Sequence, residues 1–261
     1  MKNYVKEACE ERGEKGKAAT PAADNLFKLN DDAERLDKSA AERFRRAVAQ
    51  LLYLATRVRP DILLPITFLC SRVSEPTHDD LEKLRRAMKY LNGTSHLGVA
   101  LGKYGQDMAL TVYADASYAA RKDCKSHGGI VAYLRRGPVY VKCAKHKMVS
   151  KSSAEAELIT LSDAASIAAY NVNFLKAQGY NVCAELKQDN ASTMKLAENG
   201  KSNSDRTKHI QVRFFFVKQR LDDKAMKISR CPTKEMIADI CAKPLQGEQF
   251  RVLRDMLLGY V

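Results

Sequence analysis

The stretch MALTVYADAS, residues 108–117, combines an alternating apolar run with an acidic residue near its end. The side chains from Met108 to Ala114 predict a β-strand, because alternate residues of a strand share one face of a sheet. Asp115 follows this run directly. Carboxylates just past the carboxyl end of a strand are typical of active sites in α/β folds. We therefore take this stretch as the first strand of a sheet that carries a functional site.

The pattern that follows this strand changes repeatedly between strand and helix. Further strands are predicted at residues 129–134, 138–143, 184–187 and 225–229. Helices are predicted at residues 153–177, 191–198 and 212–221, with a last one that opens at Pro232. This order of elements is typical of an α/β fold in which helices cover the faces of a mixed sheet.

The part of the chain that precedes the strand is helical. Apolar residues between Ser39 and Gly93 recur at three- and four-residue steps, and Pro60 and Thr77 mark the starts of the second and third helices. The chain is therefore predicted to divide into a poorly patterned segment at residues 1–38, a helical unit at 39–105 and a sheet domain at 106–261.

The composition excludes several classes of protein. The chain has 261 residues, of which 45% are hydrophobic and 29% charged, an ordinary globular balance. It contains neither an apolar run long enough for a bilayer nor an apolar signal core at its start. The seven cysteines are scattered, so neither a disulfide framework nor a zinc site is expected. We expect a reducing intracellular compartment, and the formal net charge of +13 indicates a polyanionic partner.

Four carboxylates occupy notable places in this order of elements. Asp115 ends the first strand, Glu157 lies in the first turns of the long helix, Asp189 ends the fourth strand, and Asp239 lies in the last helix. Mg²⁺ prefers oxygen ligands, so a few converging carboxylates suffice to hold it near a phosphodiester. Taken singly, each acid can also be a turn residue or a solvated helix residue. Their shared placement favours a metal-dependent site.

Several motifs carry a resemblance to a known family. Along residues 108–250 they are YADAS (113–117), KSHGGI (125–130), SSAEAE (152–157), DN (189–190), RTKHI (206–210), PTKEMIAD (232–239) and KPL (243–245). In this order they resemble the ribonuclease H domain of copia-type LTR retrotransposon Pol polyproteins. The first half contains Ala19-Thr-Pro21, LLYL (51–54), RPDI (59–62), YLNGT (90–94) and LG (97–98). These are similar to the end of the reverse transcriptase of the same polyproteins.

The resemblance implies a ribonuclease H-like five-stranded sheet with Asp115, Glu157, Asp189 and Asp239 as catalytic residues. It also implies that they bind two Mg²⁺ ions, with Mn²⁺ as an alternative; one ion activates the attacking water and the other stabilises the leaving 3′-oxygen. Glu155 competes with Glu157, because two helical steps of about 100° turn these side chains in nearly opposite directions. We prefer Glu157, since Glu-Leu-Ile at residues 157–159 resembles the catalytic Glu-Leu pattern of retroviral ribonuclease H domains.

The chain departs from the family pattern in two places. Gln211 stands where the family usually has Asp, so this loop is not expected to supply a further acid. Neighbouring His209 can position substrate phosphate or assist product release, or it can be a structural residue of the loop. The polymerase motif Tyr-x-Asp-Asp has no counterpart. We therefore expect a thumb-like remnant of the reverse transcriptase, without DNA synthesis.

Basic residues concentrate near the predicted acids. The residues expected to bind nucleic acid are Lys142, Lys145, Lys147, Arg206, Lys208 and His209. Residues expected to extend this cationic rim are Arg121, His146, Arg213 and, on the first helix, Arg43, Arg45 and Arg46. An RNA–DNA hybrid suits such a rim, because phosphates dominate affinity and 2′-hydroxyls distinguish RNA. Lysines on an edge strand can also serve only to prevent aggregation.

We therefore expect an endonuclease that hydrolyses the RNA strand of RNA–DNA hybrids as part of a retrotransposon polyprotein. The expected partners are the hybrid and the rest of the reverse transcriptase, with no membrane and no disulfide partner. The expected location is the cytoplasm, in a retrotransposon particle, or the nucleus. One alternative is a catalytically inactive nucleic-acid-binding relic or domesticated fragment. Another is a different nuclease of the same fold, such as a resolvase or an exonuclease.

Overall fold

The computed structural model describes residues 15–101, 108–199 and 208–260 and contains two compact units. A helical unit comprises Met1–Ala100 with Lys243–Val261, and a sheet unit comprises Leu101–Ala242. In chain order the described helices are α1 (Lys38–Arg57), α2 (Leu63–Cys70), α3 (His78–Gly93), α4 (Ser153–Ala177), α5 (Ala191–Asn199), α6 (Lys208–Asp222), α7 (Asp239–Ala242) and α8 (Gly247–Leu258). Among these residues we find no helix whose length and apolar character would suit a bilayer-spanning segment.

Side-chain hydrogen bonds cap the amino-terminal ends of two helices of the helical unit, α1 and α3. The Thr77 hydroxyl oxygen accepts a hydrogen bond from the backbone N–H of Asp80 at 3.3 Å, and the Asp80 carboxylate accepts one from the backbone N–H of Thr77 at 3.0 Å. Asp37 caps α1 by accepting from the backbone N–H of Ala40 at 2.9 Å. Such caps satisfy backbone donors that have no partner within the first helical turn. The helix start predicted at Thr77 is confirmed.

The carboxyl-terminal residues belong to the helical unit, whereas the sequence pattern assigned them to the sheet domain. Helix α8 buries Phe250, whose ring lies edge-on to that of Tyr90 with centroids 5.7 Å apart. The backbone N–H of Ala100 donates to the carbonyl oxygen of Leu258 at 2.7 Å. At the other end, Leu26 of the predicted unpatterned segment is buried. The two boundaries differ because distant segments complete the core of the helical unit.

The sheet unit contains a five-stranded mixed sheet in the order β3-β2-β1-β4-β5. Its strands are β1 (Leu110–Ser117), β2 (His127–Leu134), β3 (Gly137–Lys145), β4 (Ala184–Gln188) and β5 (Met226–Arg230). Strand β1 lies at the centre, antiparallel to β2 and parallel to β4, while β3 and β5 form the edges. The predicted α/β class with a five-stranded mixed sheet and flanking helices is confirmed.

The core of the sheet unit includes residues from the central strands and from α4. Val112 and Ala114 of β1 and Leu186 of β4 are buried in one cluster with Ala165 and Val172 of α4. Burial of these apolar side chains stabilises the packing of α4 on the sheet. The same packing brings the first turns of α4 close to the carboxyl end of β1.

Candidate active site

Three carboxylates converge at the carboxyl ends of β1 and β4. Asp115 lies in β1, Glu157 in the second turn of α4, and Asp189 directly after β4. One oxygen atom of each lies within 4.8 Å of the others, and Asp115 and Glu157 are buried. Because β1 and β4 are parallel neighbours, their carboxyl ends meet at the same edge of the sheet. The tertiary structure therefore assembles three of the four predicted acids.

The two glutamates of the SSAEAE motif have different contacts. Glu155 accepts a hydrogen bond from the backbone N–H of Lys151 at 2.8 Å, and its own N–H donates to Ser152 Oγ at 3.2 Å. These bonds tie Glu155 to the start of α4. Glu157 instead joins the carboxylate group and accepts from Gln188 Nε2 at 3.4 Å. The structure thus places Glu157, the preferred candidate, in the group.

The DN motif combines a carboxylate of the group with a helix cap. Asn190 Oδ1 accepts hydrogen bonds from the backbone N–H groups of Ser192 at 3.0 Å and Thr193 at 3.1 Å, which caps α5. This cap orients the turn after β4 in which Asp189 lies. The Asp189 carboxylate also accepts a hydrogen bond from Thr233 Oγ1 at 3.3 Å.

Gln188 is a site residue that our sequence analysis did not identify. It is fully buried at the end of β4, and its amide donates to Glu157. Its side-chain oxygen accepts from the backbone N–H of Asp189 at 2.8 Å and of Asn190 at 3.1 Å. One amide therefore orients two parts of the group. A polar residue at an inward-facing strand position, next to a candidate acid, was the signal that could have identified it.

Asp239, the fourth predicted acid, lies outside the group of three. It is buried at the first residue of α7, which packs against β1 and β2. Burial raises the pKa of the Cys231 thiol to about 11, with contributions from Glu235, Asp189 and Asp239. Asp189 and Asp239 are therefore both near Cys231.

The chemistry of the three carboxylates fits a hard divalent cation. Asp115, Glu157 and Asp189 supply only oxygen donors, and like charges within 4.8 Å repel one another. A bound cation would offset this repulsion, and Mg²⁺ or Mn²⁺ accepts such oxygen ligands while keeping bound waters. Zn²⁺ sites commonly include His or Cys ligands. The donor set therefore fits the predicted magnesium site.

The predicted basic residues are divided between the two faces of the sheet. On β3, Lys142 Nζ lies 3.0 Å from Asp163 of α4, which also lies 3.1 Å from Arg213 of α6. Lys145 Nζ lies 2.6 Å from Asp123, in the loop between β1 and β2. These lysines are three residues apart on a regularly paired stretch, so they face opposite sides. They cannot form one straight track.

Lys145 is on the side of the sheet that carries Asp115. Asp115 stands opposite Gly129 in the β1–β2 register, and Gly129 stands opposite Cys143 in the β2–β3 register. Residues opposite each other share a face, and Lys145 follows Cys143 by two residues. Lys147 is exposed just beyond β3. Lys145 is therefore better placed than Lys142 to contact a substrate at the three carboxylates.

Two members of the predicted cationic rim are buried instead. Arg121 is 8% exposed and donates from Nη2 to His127 Nδ1 at 3.0 Å. Burial lowers the pKa of Arg121 to about 10 and also lowers that of His146, which is 9% exposed. Both residues make internal contacts, so their assignment to the rim was wrong.

The remaining predicted basic residues have separate positions. On α1, Arg45 donates to the carbonyl oxygens of Val73 at 2.8 Å and Ser74 at 3.3 Å, so it ties a loop of the helical unit. Arg43 bonds Ser39 Oγ on the same helix at 2.6 Å. Three further candidates lie outside what the structure describes: Arg206, and the side chains of Lys208 and His209.

Comparisons with known proteins place the chain among transposon polyproteins. The chain is 31% identical over 211 residues to the retrovirus-related Pol polyprotein from transposon RE1 of Arabidopsis thaliana, which covers 80% of this chain and 14% of that polyprotein. It is 35% identical over 159 residues to a putative transposon Ty5-1 protein of Saccharomyces cerevisiae, which covers 56% of this chain and 51% of that protein. No protein-family model matches the chain.

A similarity to a solved structure covers part of the chain. LC11-RNase H1, isolated from compost by a metagenomic approach, has 14% identity and a TM-score of 0.39, over 52% of this chain and 93% of that structure. The sequence relatives extend much further than the chain, which spans 14% of the RE1 polyprotein. Their similarity runs through both units, since it covers most of the described residues. The homologues of this chain are therefore retrovirus-related Pol polyproteins and related proteins of plant and yeast transposons.

Proposed function

We propose that the sheet unit is a ribonuclease H that hydrolyses the RNA strand of RNA–DNA hybrids with two divalent cations, Mg²⁺ or Mn²⁺. The observation that carries this proposal is the convergence of Asp115, Glu157 and Asp189 within 4.8 Å. The copia-type motifs around these residues support the same activity. We place the chain in the cytoplasm, in a retrotransposon particle, or in the nucleus.

The residues of the site have distinct tasks in this reaction. Asp115, Glu157 and Asp189 would hold the cations, and the buried Asp239 at the start of α7 would add a further negative charge to this side of the sheet unit. Cations held by these carboxylates would supply activation of the attacking water and stabilisation of the leaving 3′-oxygen. Gln188 orients Glu157 and the backbone of Asp189, so these two carboxylates keep one arrangement.

The substrate proposal rests on charge and on the position of the lysines. Lys145 faces the same side of the sheet as Asp115, where phosphates of a hybrid would approach, and Lys147 is exposed just beyond the end of β3. Phosphate contacts supply affinity, whereas the 2′-hydroxyls of RNA are the groups that identify the strand to be cut. The helical unit, as a thumb-like remnant of a reverse transcriptase, would have no polymerase activity.

A cleavage assay with a matched pair of variants tests the proposal. Labelled RNA–DNA hybrid, duplex DNA and duplex RNA are incubated with the protein in Mg²⁺ and in EDTA. We expect only the RNA of the hybrid to be cut, only with Mg²⁺. Glu157→Gln should lower the cleavage rate by about 100-fold or more, because it removes one charge from the group. Glu155→Gln, two residues away on the same helix, should retain cleavage.

The outcomes separate the alternatives. Equal rates for Glu157→Gln and the wild type would contradict catalysis at this site. Hybrid binding without cleavage in Mg²⁺ would identify a catalytically inactive nucleic-acid-binding relic. Cleavage of duplex DNA or of branched DNA would instead indicate another nuclease with the same fold.

A further inference from the structure

Gly128 of β2 is a point of close contact between the sheet and α4. A Cβ atom at this position would lie 2.6 Å from Thr160 Oγ1 and 2.9 Å from His146 Nε2, so no larger residue fits without displacement. His146 Nε2 and Thr160 Oγ1 are 3.0 Å apart, and the Thr160 hydroxyl donates to the carbonyl oxygen of Ala156 at 3.2 Å. Thr160 lies one helical turn after Glu157. This contact therefore determines how close the turn that carries Glu157 lies to the sheet.

Gly129 is the corresponding point on the other face, because successive residues of a strand alternate. A Cβ atom there would lie 2.8 Å from Cys241 Cβ and closer still to the carbonyl oxygen of Ala238. Cys143, opposite Gly129 on β3, donates from Sγ to the Cys241 carbonyl oxygen at 2.9 Å. Asp239 lies between Ala238 and Cys241. The contact at Gly129 therefore determines the position of Asp239.

Buried histidines complete both contacts. His127 Nδ1 faces Arg121 Nη2, which can only donate, so the proton of the neutral ring lies on Nε2 and is directed to Cys143 Sγ at 3.0 Å. His127 is thereby linked through Cys143 to α7. His146 has the equivalent place on the other face, where its Nε2 meets Thr160 of α4. Each glycine thus has one histidine that holds the element lying against it.

We propose that Gly128 and Gly129 are positioning residues that set two acidic ligands independently from the two faces of β2. Gly128 with His146 sets Glu157, and Gly129 with His127 sets Asp239. The inference rests on the proposed function, since it assigns these residues to the same metal site. Residues that orient metal ligands commonly change metal affinity by about 10- to 100-fold when replaced.

Mn²⁺ binding to the whole chain, measured by calorimetry and by electron paramagnetic resonance, tests this role without requiring cleavage. Gly128→Ala should weaken Mn²⁺ binding about 10- to 100-fold. Adding Thr160→Ala should restore part of the affinity, because the nearest obstacle is a side chain. The control is Gly98→Ala in the helical unit, where the new Cβ lies 3.9 Å from the Val58 carbonyl oxygen, an ordinary contact. It should bind Mn²⁺ as the wild type does.

If Gly128→Ala does not fold, two substitutions of His146 test the same role. His146→Gln keeps a donor for Thr160, whereas His146→Leu does not. We expect unchanged Mn²⁺ affinity for His146→Gln and at least about a tenfold loss of affinity for His146→Leu. Urea unfolding of both variants without metal shows whether each is folded. Wild-type affinity in folded His146→Leu overturns the inference. Mn²⁺ binding by a wild type that cuts no hybrid overturns the proposed function alone, and a wild type that binds no Mn²⁺ overturns both.

Discussion

The two units of the molecule contain buried carboxylates in opposite electrostatic surroundings. In the helical unit Asp61 accepts hydrogen bonds from Arg59 at 2.9 Å and 2.8 Å and from the Tyr90 hydroxyl at 2.6 Å. In the sheet unit three carboxylates gather within 4.8 Å of one another. A buried charge with an opposite charge beside it stabilises one packing arrangement, whereas a cluster of like charges favours an external cation. The comparison separates a structural charge from a functional one.

The Arg59–Asp61 pair also explains two motifs of the first half of the chain. Arg59 and Asp61 belong to RPDI, and Tyr90 and Thr94 to YLNGT. Arg59 Nη1 donates to the carbonyl oxygen of Thr94 at 2.9 Å, so the pair joins the two motifs. Burial opposes the charge of Arg59, but the contact with Asp61 leaves its pKa raised. These motifs therefore serve packing of the helical unit.

Replacing the buried Arg59 of the helical unit should have the largest effect on the free energy of unfolding. Arg59→Met leaves Asp61 buried without its partner, and we expect the free energy of unfolding in urea to fall by about 3–5 kcal/mol. Arg57→Met, at an exposed position of α1, should stay within about 0.5 kcal/mol of the wild type. The double variant Arg59→Met, Asp61→Leu should recover much of the stability. A loss of less than about 1 kcal/mol of unfolding free energy in Arg59→Met would contradict the contrast drawn between the two units.

Neutralising one carboxylate of the sheet unit should change the metal-free free energy of unfolding in the opposite direction. Asp189→Asn relieves repulsion, so the metal-free unfolding free energy should hold or rise by on the order of 1 kcal/mol. Mg²⁺ at about 100 times its dissociation constant should stabilise the wild type by about 2.7 kcal/mol, and the variant much less. Urea titrations with and without Mg²⁺ measure both effects. Asp222→Asn, an exposed carboxylate of α6, is the control, and equal Mg²⁺ effects in all three proteins would place the cation elsewhere.

Acidification tests His127, a buried histidine of β2 that contacts Arg121 and Cys143. Burial, with contributions from Arg121 and His146, lowers the pKa of His127 from its usual 6.5 to about 3. Between these values the unfolded chain binds a proton that the folded chain does not, so stability falls as the pH falls. The slope is at most about 1.4 kcal/mol per pH unit, or about 2 kcal/mol by pH 5. His127→Gln should show a shallower decrease in urea unfolding at pH 7, 6 and 5, and a parallel decrease would contradict this assignment.

The smallest expected effect concerns the exposed lysines. Hybrid binding should weaken with salt, and the slope of log K against log salt has a magnitude of about 0.9 for each phosphate that the protein neutralises. Replacing Lys142, Lys145 and Lys147 together with Ala should flatten this slope. Lys145→Ala should flatten it more than Lys142→Ala, because Lys145 shares the face of Asp115. Filter-binding titrations of the catalytically silent Asp189→Asn protein measure these slopes. A larger change for Lys142→Ala than for Lys145→Ala would indicate that the substrate lies on the α4 side of the sheet.

Sequence patterns predicted much of the local structure and part of the site. The alternation that ends at Asp115, the cap at Thr77 and the long helix after Ser152 are encoded by residues close together in the chain. Periodicity could not separate Glu155 from Glu157, since both are 6% exposed. The choice between them came from a family motif. The difference in their contacts depends on Gln188, which lies on another element.

The sequence by itself determined the α/β class, the order of the elements along the chain and four candidate acids, of which the structure gathers three. Only the tertiary structure decided that Lys142 and Lys145 face opposite sides, that Arg121 and His146 are internal, and that α8 completes the helical unit. The physical reason is the distance along the chain over which each interaction acts. Caps and alternation depend on neighbours within a few residues, whereas burial and charge pairing depend on segments that meet only after the chain has packed.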